Sequence, residues 1–396
     1  MESIKEIYKI GHGPSSSHTM GPKKAAEKFR ARNEEADHFH VTLYGSLAAT
    51  GRGHLTDVVV ASAFEPAPTT FDWQPDIILP FHPCALKFEA FDATDALVDE
   101  WTAYSIGGGT IVSEGEDGET EQVYPQANMQ EILTLVDQNG ETFWEYVFNT
   151  EPPTLESHLE QIWAMMKDCI KRGLDNEGAL PGELHLNRKA PSFFIKAKNS
   201  GYQKHTNKLF AYALAVAEEN AAGGVVVTAP TCGSAGVLPA VLFMLQEMDK
   251  FPDKKILHAL ATGGLFGNVV KKNGSISGAE VGCQGEIGTA CAMASAAAAQ
   301  LMGGTPNQIE YAAEMGLEHH LGLTCDPVAG LVQIPCIERN AMGAARAIDC
   351  ALYALLSDGR HRVSFDDIIQ TMVATGHDLT SPYRETAKGG LAALRR

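Results

Sequence analysis

The sequence predicts an α+β protein in which an N-terminal mixed α/β domain at residues 1–150 is followed by a mostly helical C-terminal domain at residues 155–396. Strand-like alternation of apolar and polar residues occurs in the first part. The second part is rich in Ala and Gly and places apolar residues at helical spacing. A segment with two prolines, NTEPPTLES (149–157), lies between them and is typical of a linker. A length of 396 residues also favours two domains.

The first domain carries the strand signals. Alternation with aromatic and β-branched residues occurs in FHVTLYGS (39–46), PDIILPF (75–81) and LKFEAFDA (86–93). PKKAAEKFRAR (22–32) predicts a helix. The glycine-rich segment YSIGGGTIVSEGEDGETEQVY (104–124) predicts a hairpin, and its acidic part, SEGEDGETEQ (113–122), is interpreted as a solvated turn rather than a site.

The second domain is built from apolar helices. The helix after the linker brings five apolar residues to one face: Leu159, Ile162, Trp163, Met166 and Ile170. TACAMASAAAAQLM (289–302) has almost no large side chains, so we expect it to pack closely at the centre. Three further segments predict helices: VLPAVLFMLQEM (237–248), NQIEYAAEMGLEHHLG (307–322) and RNAMGAARAIDCALYALLS (339–357).

Charge and composition exclude several classes of function. The net charge of −18 argues against nucleic acid, which basic surfaces bind, and disfavours anionic membranes. No apolar run is long enough to span a bilayer, and the N-terminus lacks the apolar region of a secretion signal. We therefore expect a cytoplasmic protein with no nucleic-acid or membrane partner. The negative net charge is still compatible with a small anionic substrate, because binding such a substrate needs only a local positive potential.

The eight cysteines are expected to lie in a reducing compartment, where burial, catalysis or metal binding is commoner than disulfides. Cys169, Cys291 and Cys350 lie in helical segments and are interpreted as buried thiols. Cys84 and Cys232 lie in loops and are less easily assigned.

Cys283, Cys325 and Cys336 share one context: a loop, small neighbours and an adjacent helix start. The N-terminus of a helix stabilises a thiolate, and the glycines around Cys283 allow a backbone to approach an inorganic group. Three thiolates suit an iron–sulfur cluster with one iron left open, whereas structural zinc requires four ligands. On this pattern an iron–sulfur site, a zinc site and buried core thiols all remain open.

Long motifs recur along the whole chain: GPSSSHTMGP (13–22), LYGSLAATGRGHLTD (43–57), FHPCALKFEA (81–90), EGALPGEL (177–184), NAAGGVVVTAPTCGSAGVLPAVL (220–242), SISGAEVGCQGEIGTACAMA (275–294), CDPVAGLVQIPCIERNAMGAARA (325–347) and YRETAKGGLA (383–392). Together they resemble the bacterial iron–sulfur L-serine dehydratases in their single-chain form. The resemblance implies the conversion of L-serine, a small amino-acid substrate, to pyruvate and ammonia. It also implies a homodimer.

The resemblance further implies a 4Fe-4S cluster held by Cys283, Cys325 and Cys336, with the fourth iron left to the substrate. Three departures from the family pattern concern specificity and regulation. The chain ends GGLAALRR, without the terminal cysteine of some members. Cys232 stands where many members have Asn, and HPCALKF (82–88) varies the usual form.

Removing the α-proton of serine requires a base, and three histidines, His18, His54 and His82, fall in the matched motifs. We predict that His54 is the base, exposed by the Gly51–Gly53 turn and oriented by Asp57, and that His18 binds substrate. A hydrogen-bonded loop histidine is the alternative interpretation of His54.

Two loops are candidate substrate sites because a helix start with hydroxyls and free amides binds anions. One contains Ser15, Ser16, Ser17 and Thr19, which also fit a capping role for the helix at 22–32. The other contains Thr231 and Gly233. Since histidines and cysteines lie in different domains, we expect the site at the domain interface.

Charged residues beside these motifs have two interpretations. The substrate ammonium has three candidate partners, of which one would bind it: Glu280, Glu286 and Glu338. In the alternative interpretation, all three glutamates pair with Arg339, Lys388 or backbone amides. Arg384 and Lys388 are candidates to close the site.

Three rival functions remain at the level of sequence. A pyridoxal-phosphate lyase would need a Schiff-base lysine, for which only Lys271 and Lys272 are candidates. A non-catalytic amino-acid sensor would keep the fold. The same lyase chemistry on L-threonine or L-cysteine is the third.

Overall fold

The computed structural model describes residues 1–114, 121–198 and 204–394, and it confirms an α+β architecture with a sheet near the N-terminus and helices over most of the remainder. The strands are β1 (Ile10–His12), β2 (His38–Tyr44), β3 (Thr69–Gln74), β4 (Cys84–Phe91), β5 (Leu97–Ser105), β6 (Ile111–Val112) and β7 (Val225–Val227). β1 and β7 form a separate antiparallel pair.

The larger sheet has the strand order β3-β2-β4-β5-β6, with β2 and β3 parallel and the other neighbours antiparallel. The helices of this region are α1 (Gly21–Arg32), α2 (Gly45–Thr50) and α3 (Thr56–Phe64). Alternation along β2 buries Phe39, whose ring stacks on Phe64 of α3 at 4.1 Å. The ends of β2 and β4 meet at a bridge between Gly45 and Cys84, which fixes the loop that carries Ser46.

The α-helices of the rest of the chain are α4 (Met129–Asn139), α5 (Phe143–Thr150), α6 (Thr154–Asp175), α7 (Ala190–Lys198), α8 (Lys204–Ala221), α9 (Val237–Asp249), α10 (Asp253–Asn273), α11 (Gly278–Val281), α12 (Thr289–Leu301), α13 (Pro306–Glu318), α14 (Cys336–Leu356) and α15 (Phe365–Asp378). As predicted, α12 is buried and packs against α9, α10, α13 and α14. A side chain at Gly316 would lie 3.0 Å from Ala292 Cα, so small residues let α13 and α12 touch at the backbone.

The helical core includes residues from the start of the chain, among them Met1, Ile4 and Tyr8, and residues of α5, whereas the sheet has a core of its own. The domain boundary predicted between residues 150 and 155 stays a prediction. Segments before it nonetheless contribute to the helical core. In the described part of the chain, no helix has an apolar stretch of the length that crosses a bilayer.

Most of the predicted elements are confirmed, including the strands at 39–46 and 86–93, the helix at 22–32 and the buried face of α6. The glycine-rich turn after β5 returns the chain to β6, which confirms a hairpin there. The strand predicted at 75–81 is wrong, because Pro75 and Pro80 remove amide donors that a ladder needs. The interpretation of the acidic turn falls largely on residues 115–120, outside the described residues.

Candidate active site

Three loops of the helical region bring Cys283, Cys325 and Cys336 together. Cys283 precedes a single π-helical turn that continues into α12, Cys325 follows α13, and Cys336 is the first residue of α14. The thiols of Cys283 and Cys325 are close enough to lower and raise each other's pKa, and Cys336 interacts electrostatically with Cys283. Cys283 and Cys325 are buried, and Cys336 is partly exposed.

Arg339 of α14 supplies positive charge to the three cysteines. Its guanidinium donates to Thr324 O at 2.6 Å and lies 3.7 Å from Asp326 Oδ1. The hydrogen bond from Cys325 and the charge of Arg339 lower the pKa of Cys283 to about 6, against the opposing effect of burial. At neutral pH the site therefore favours at least one thiolate before any metal is bound.

The spacing of the sulfurs bears on which metal they fit. Among the described residues, the one group of three candidate ligands whose atoms all lie within 4.8 Å of one another is His18, His54 and Glu385. At least one pair of the three cysteine sulfurs is thus farther apart. Ligands of one tetrahedral zinc lie about 3.8 Å apart for Zn–S bonds of about 2.3 Å. The wider spacing fits sulfurs that bind different irons of one cluster.

His54 is fully buried, and neither of its ring nitrogens has a hydrogen-bond partner. Its Nε2 lies 4.0 Å from Glu385 Oε1, and its ring lies 4.5 Å from that of His18. Burial, and then the charge of His18, lower its pKa well below the usual value. Two expectations were wrong: the Gly51–Gly53 turn does not expose the ring, and the nearest carboxylate is Glu385 rather than Asp57.

His18 is also fully buried, but both of its ring nitrogens are engaged. Nε2 lies 3.0 Å from Ser46 Oγ, and Nδ1 lies 2.9 Å from Ser17 Oγ. Since Ser46 donates its only hydroxyl proton to Glu385 O at 2.7 Å, it accepts from His18 Nε2. Burial lowers the pKa of His18 to about 3, so the ring is neutral and Nδ1 accepts from Ser17.

The serine-rich loop is a buried π-helical turn (Ser16–Met20) that leads into α1. Ser15 Oγ accepts from the backbone N–H of His18 at 3.1 Å, so Ser15 caps this turn rather than α1 itself, which begins after Met20 without a side-chain cap. Thr19 Oγ1 donates to His54 O at 2.8 Å, and Thr56 Oγ1 donates to His18 O at 2.6 Å. The two histidine loops are therefore locked to each other. Ser16 is buried at this turn.

The C-terminal segment connects the histidines to the cysteines. The N–H of Cys325 donates to Tyr383 O at 2.8 Å, and the N–H of Glu385 donates to Cys325 O at 2.7 Å. The Glu385 carboxyl lies 3.6 Å from His18 Nδ1. Burial, and then the charge of Glu286, raise its pKa well above the usual value. Lys388, expected to close the site, pairs with Asp76 at 2.6 Å.

The second predicted loop lies against the cysteines from the other side. Thr231 Oγ1 donates to Glu286 Oε1 at 2.7 Å, and a side chain at Gly233 would lie 3.1 Å from the same oxygen. Burial raises the pKa of Glu286 to about 8. Asn340 of α14 donates to Gly233 O at 2.8 Å and to Cys336 O at 2.9 Å, which fixes the loop relative to α14.

The histidine loops and the cysteine loops meet where the sheet region contacts the helices. A side chain at Gly53 would lie 2.5 Å from Gly330 O, within the segment between Cys325 and Cys336. The loop of the predicted base thus contacts the segment that joins two of the predicted metal ligands.

Sequence reasoning missed Ser46 and Glu385. Both lie within motifs that carry the family resemblance, but nothing else in the local sequence distinguishes them from their polar neighbours, which is a weak signal. Cys84 proves to be a buried thiol in contact with Ser46, and Cys232 is buried with its sulfur 3.4 Å from Met20 Sδ. Cys169, Cys291 and Cys350 are buried as predicted.

The surroundings of the two lysines considered for pyridoxal phosphate do not resemble a pyridoxal-phosphate site. Lys271 pairs with Glu2 Oε2 at 2.7 Å on α10, and Lys272 is exposed. Together with His82 and Glu280 they line a cavity of about 290 Å³.

Comparison with known proteins places these motifs in one family. Residues 3–69 match the family described as serine dehydratase beta chain, and residues 87–392 match serine dehydratase alpha chain. An L-serine dehydratase of Streptomyces coelicolor is 41% identical, with 98% of both chains covered. An L-serine dehydratase of Haemophilus influenzae is 39% identical and one of Escherichia coli is 40% identical, each with 99% of both chains covered.

Proposed function

Since this chain belongs to the serine dehydratase family, we propose that it is an L-serine dehydratase, a lyase that converts L-serine to pyruvate and ammonia. Loss of the α-proton and of the β-hydroxyl yields 2-aminoacrylate, which tautomerises to an imine and is hydrolysed. The observation that carries the proposal is the convergence of three cysteines with a buried, unpaired histidine in one site. Relatives about 40% identical from end to end support the choice of substrate.

Cys283, Cys325 and Cys336 would hold a 4Fe-4S cluster. Three observations support the fit: the contact between two of the thiols, the adjacent Arg339, and the wider spacing of the full set. When bound, the cluster supplies a Lewis-acidic iron for the β-hydroxyl, which is otherwise a poor leaving group. Arg339 offsets the negative charge of the thiolates from its fixed position on α14.

His54 would accept the α-proton at Nε2. The ring is neutral at pH 7 because burial opposes its charged form, and no hydrogen bond occupies either nitrogen. Glu385 Oε1 lies 4.0 Å away, and the carboxylate form of this residue would stabilise the positive charge that the ring gains. His18 would act in substrate binding and positioning, since both of its nitrogens are already bonded.

The two polar loops would bind the substrate carboxylate. The turn with Ser15, Ser16 and Ser17 begins with backbone amides and hydroxyls, which suit an anion. Thr19 contributes by fixing this turn to the loop of His54. Thr231 and Gly233 approach from the opposite side, through the contact with Glu286. A homodimer in the cytoplasm completes the proposal, as expected from the family resemblance.

Anaerobic reconstitution with iron and sulfide, followed by an assay of keto-acid and ammonia release, tests the proposal. We expect turnover of L-serine above that of L-threonine and L-cysteine, and about four irons per chain. Cys283→Ala, Cys325→Ala and Cys336→Ala should each abolish activity and lower iron content. Cys169→Ala is the matched control, a buried thiol of α6, and should retain both. A fully loaded protein that does not release pyruvate from L-serine would overturn the assignment.

A further inference from the structure

Two carboxylates converge on one small space beside the cysteines. The position that a side chain at Gly278 would occupy lies 2.7 Å from Glu286 Oε2 and 3.3 Å from Glu385 Oε2. The same position lies 3.1 Å from Cys325 Sγ. Glu286 comes from the turn before α12 and Glu385 from the C-terminal segment, so residues about a hundred positions apart point to one spot.

The lack of a side chain at Gly278 lets both carboxyl groups approach its backbone. Gly278 is buried at the start of α11, and its backbone does not adopt the left-handed conformation that favours glycine. Its lack of a side chain is therefore explained by the space rather than by the backbone. Gly233 has the same relation to Glu286 from the opposite side, 3.1 Å from Oε1.

The oxygens that face the space lack donors. Thr231 donates to Glu286 Oε1, which leaves Oε2 to face Gly278. Glu385 Oε1 faces the two histidines, and its Oε2 is buried without a hydrogen-bond partner. Arg339, the nearby cation, is engaged by Thr324 O and the cysteines. Two such acceptors side by side suit a small cation that carries several N–H donors.

We infer that Glu286 and Glu385 together bind the α-ammonium group of the substrate. This rests on the proposed function only in taking the ligand to be an α-amino acid. The ammonium donates to Glu286 Oε2 and Glu385 Oε2. Because the other oxygen of Glu385 lies 4.0 Å from His54 Nε2, the carbon that bears the ammonium is held beside the base. The pair thereby selects amino acids over hydroxy acids of the same shape.

Equilibrium binding of two unreactive ligands separates recognition of the ammonium from catalysis. L-Alanine has the ammonium, and L-lactate replaces it with a hydroxyl. Anaerobic calorimetry on the cluster-loaded protein should show tighter binding of L-alanine. Glu286→Gln and Glu385→Gln should each weaken L-alanine about tenfold to a hundredfold, the usual effect of losing a charged hydrogen bond. The same substitutions should change the affinity for L-lactate by no more than about twofold, because the neutral hydroxyl of L-lactate does not need a charged acceptor.

Glu338→Gln is the matched control. Glu338 also lies beside a proposed cluster cysteine, but it is exposed and pairs with Lys189 at 3.0 Å, so neither ligand should change affinity. Equal weakening of both ligands, unchanged L-alanine affinity, or a wild-type protein without preference for L-alanine overturns the inference. Failure of the wild-type protein to dehydrate L-serine while these affinities behave as expected would refute the proposed function alone.

Discussion

Replacing Asn340 with Ala tests whether one side chain holds the cluster loops together. Asn340 is 1% exposed and lies one helical turn after Cys336. Its Oδ1 accepts from the Gly236 N–H at 2.9 Å, and its Nδ2 donates to Gly233 O at 2.8 Å and to Cys336 O at 2.9 Å. The loop that contacts Glu286 is thereby tied to the helix that begins at Cys336, a proposed metal ligand.

Alanine would leave the Gly236 N–H and Gly233 O without their partner in a buried region. Each unsatisfied buried group costs about 1–3 kcal/mol, so we expect the free energy of unfolding to fall by about 2–4 kcal/mol. Urea unfolding of the cluster-free protein measures this loss. Iron content after reconstitution should also fall, because Cys336 and the facing loop lose their fixed distance.

Asn268→Ala is the control for stability alone. Asn268 is equally buried on α10, and its side chain donates to Glu2 O at 2.7 Å. The Asn268→Ala substitution should destabilise the protein and leave the iron content at the wild-type value. An Asn340→Ala protein with the unfolding free energy of wild type, or with destabilisation but full iron content, would refute the role given to Asn340.

Three further predictions concern the site. His54→Gln should lower kcat by about 10²–10⁴-fold with unchanged iron and sulfide content, and a smaller loss would assign the α-proton to another base. Gly278→Ala should lower kcat/KM for L-serine about 10²-fold, because its methyl group would lie 2.7 Å from Glu286 Oε2; wild-type kinetics would show that the space is not used. Burial lowers the pKa of His18 to about 3, whereas the unfolded chain has about 6.5. The unfolded state therefore gains the proton first, and stability is lost as pH falls from about 6.5 toward 3, by about 2 kcal/mol at pH 5. Urea unfolding at pH 7 and pH 5 should show a loss of stability that is about 2 kcal/mol smaller in His18→Gln than in wild type, and an equal loss in both would contradict it.

Local patterns predicted much of the fold. The stripe on α6 and the alanine-rich α12 follow from helical periodicity, because a buried face needs apolar or small residues at fixed spacing. The same logic failed at 75–81, where alternation predicted a strand and two prolines prevented it. The cysteines were recognisable because each stands beside a helix start, which is also a local feature.

The electrostatic environment of the site was not predictable in this way. Asp57, three residues from His54, was the expected partner, but the nearest carboxylate belongs to Glu385, far along the chain. Ser46 was not considered, although its hydroxyl determines the tautomer of His18. Neither contact produces a periodic pattern in the sequence, because each joins residues that are far apart along the chain.

The sequence by itself determined the α+β class, the main helices, the three candidate cluster ligands and the resemblance to a family. Only the tertiary structure decided that His54 is buried and unpaired, that Glu385 lies beside it, and that Glu286 and Glu385 face the space at Gly278. The reason is physical. Helices and strands are selected by interactions over a few residues, whereas burial and the convergence of charges depend on which distant loops the folded cores bring together.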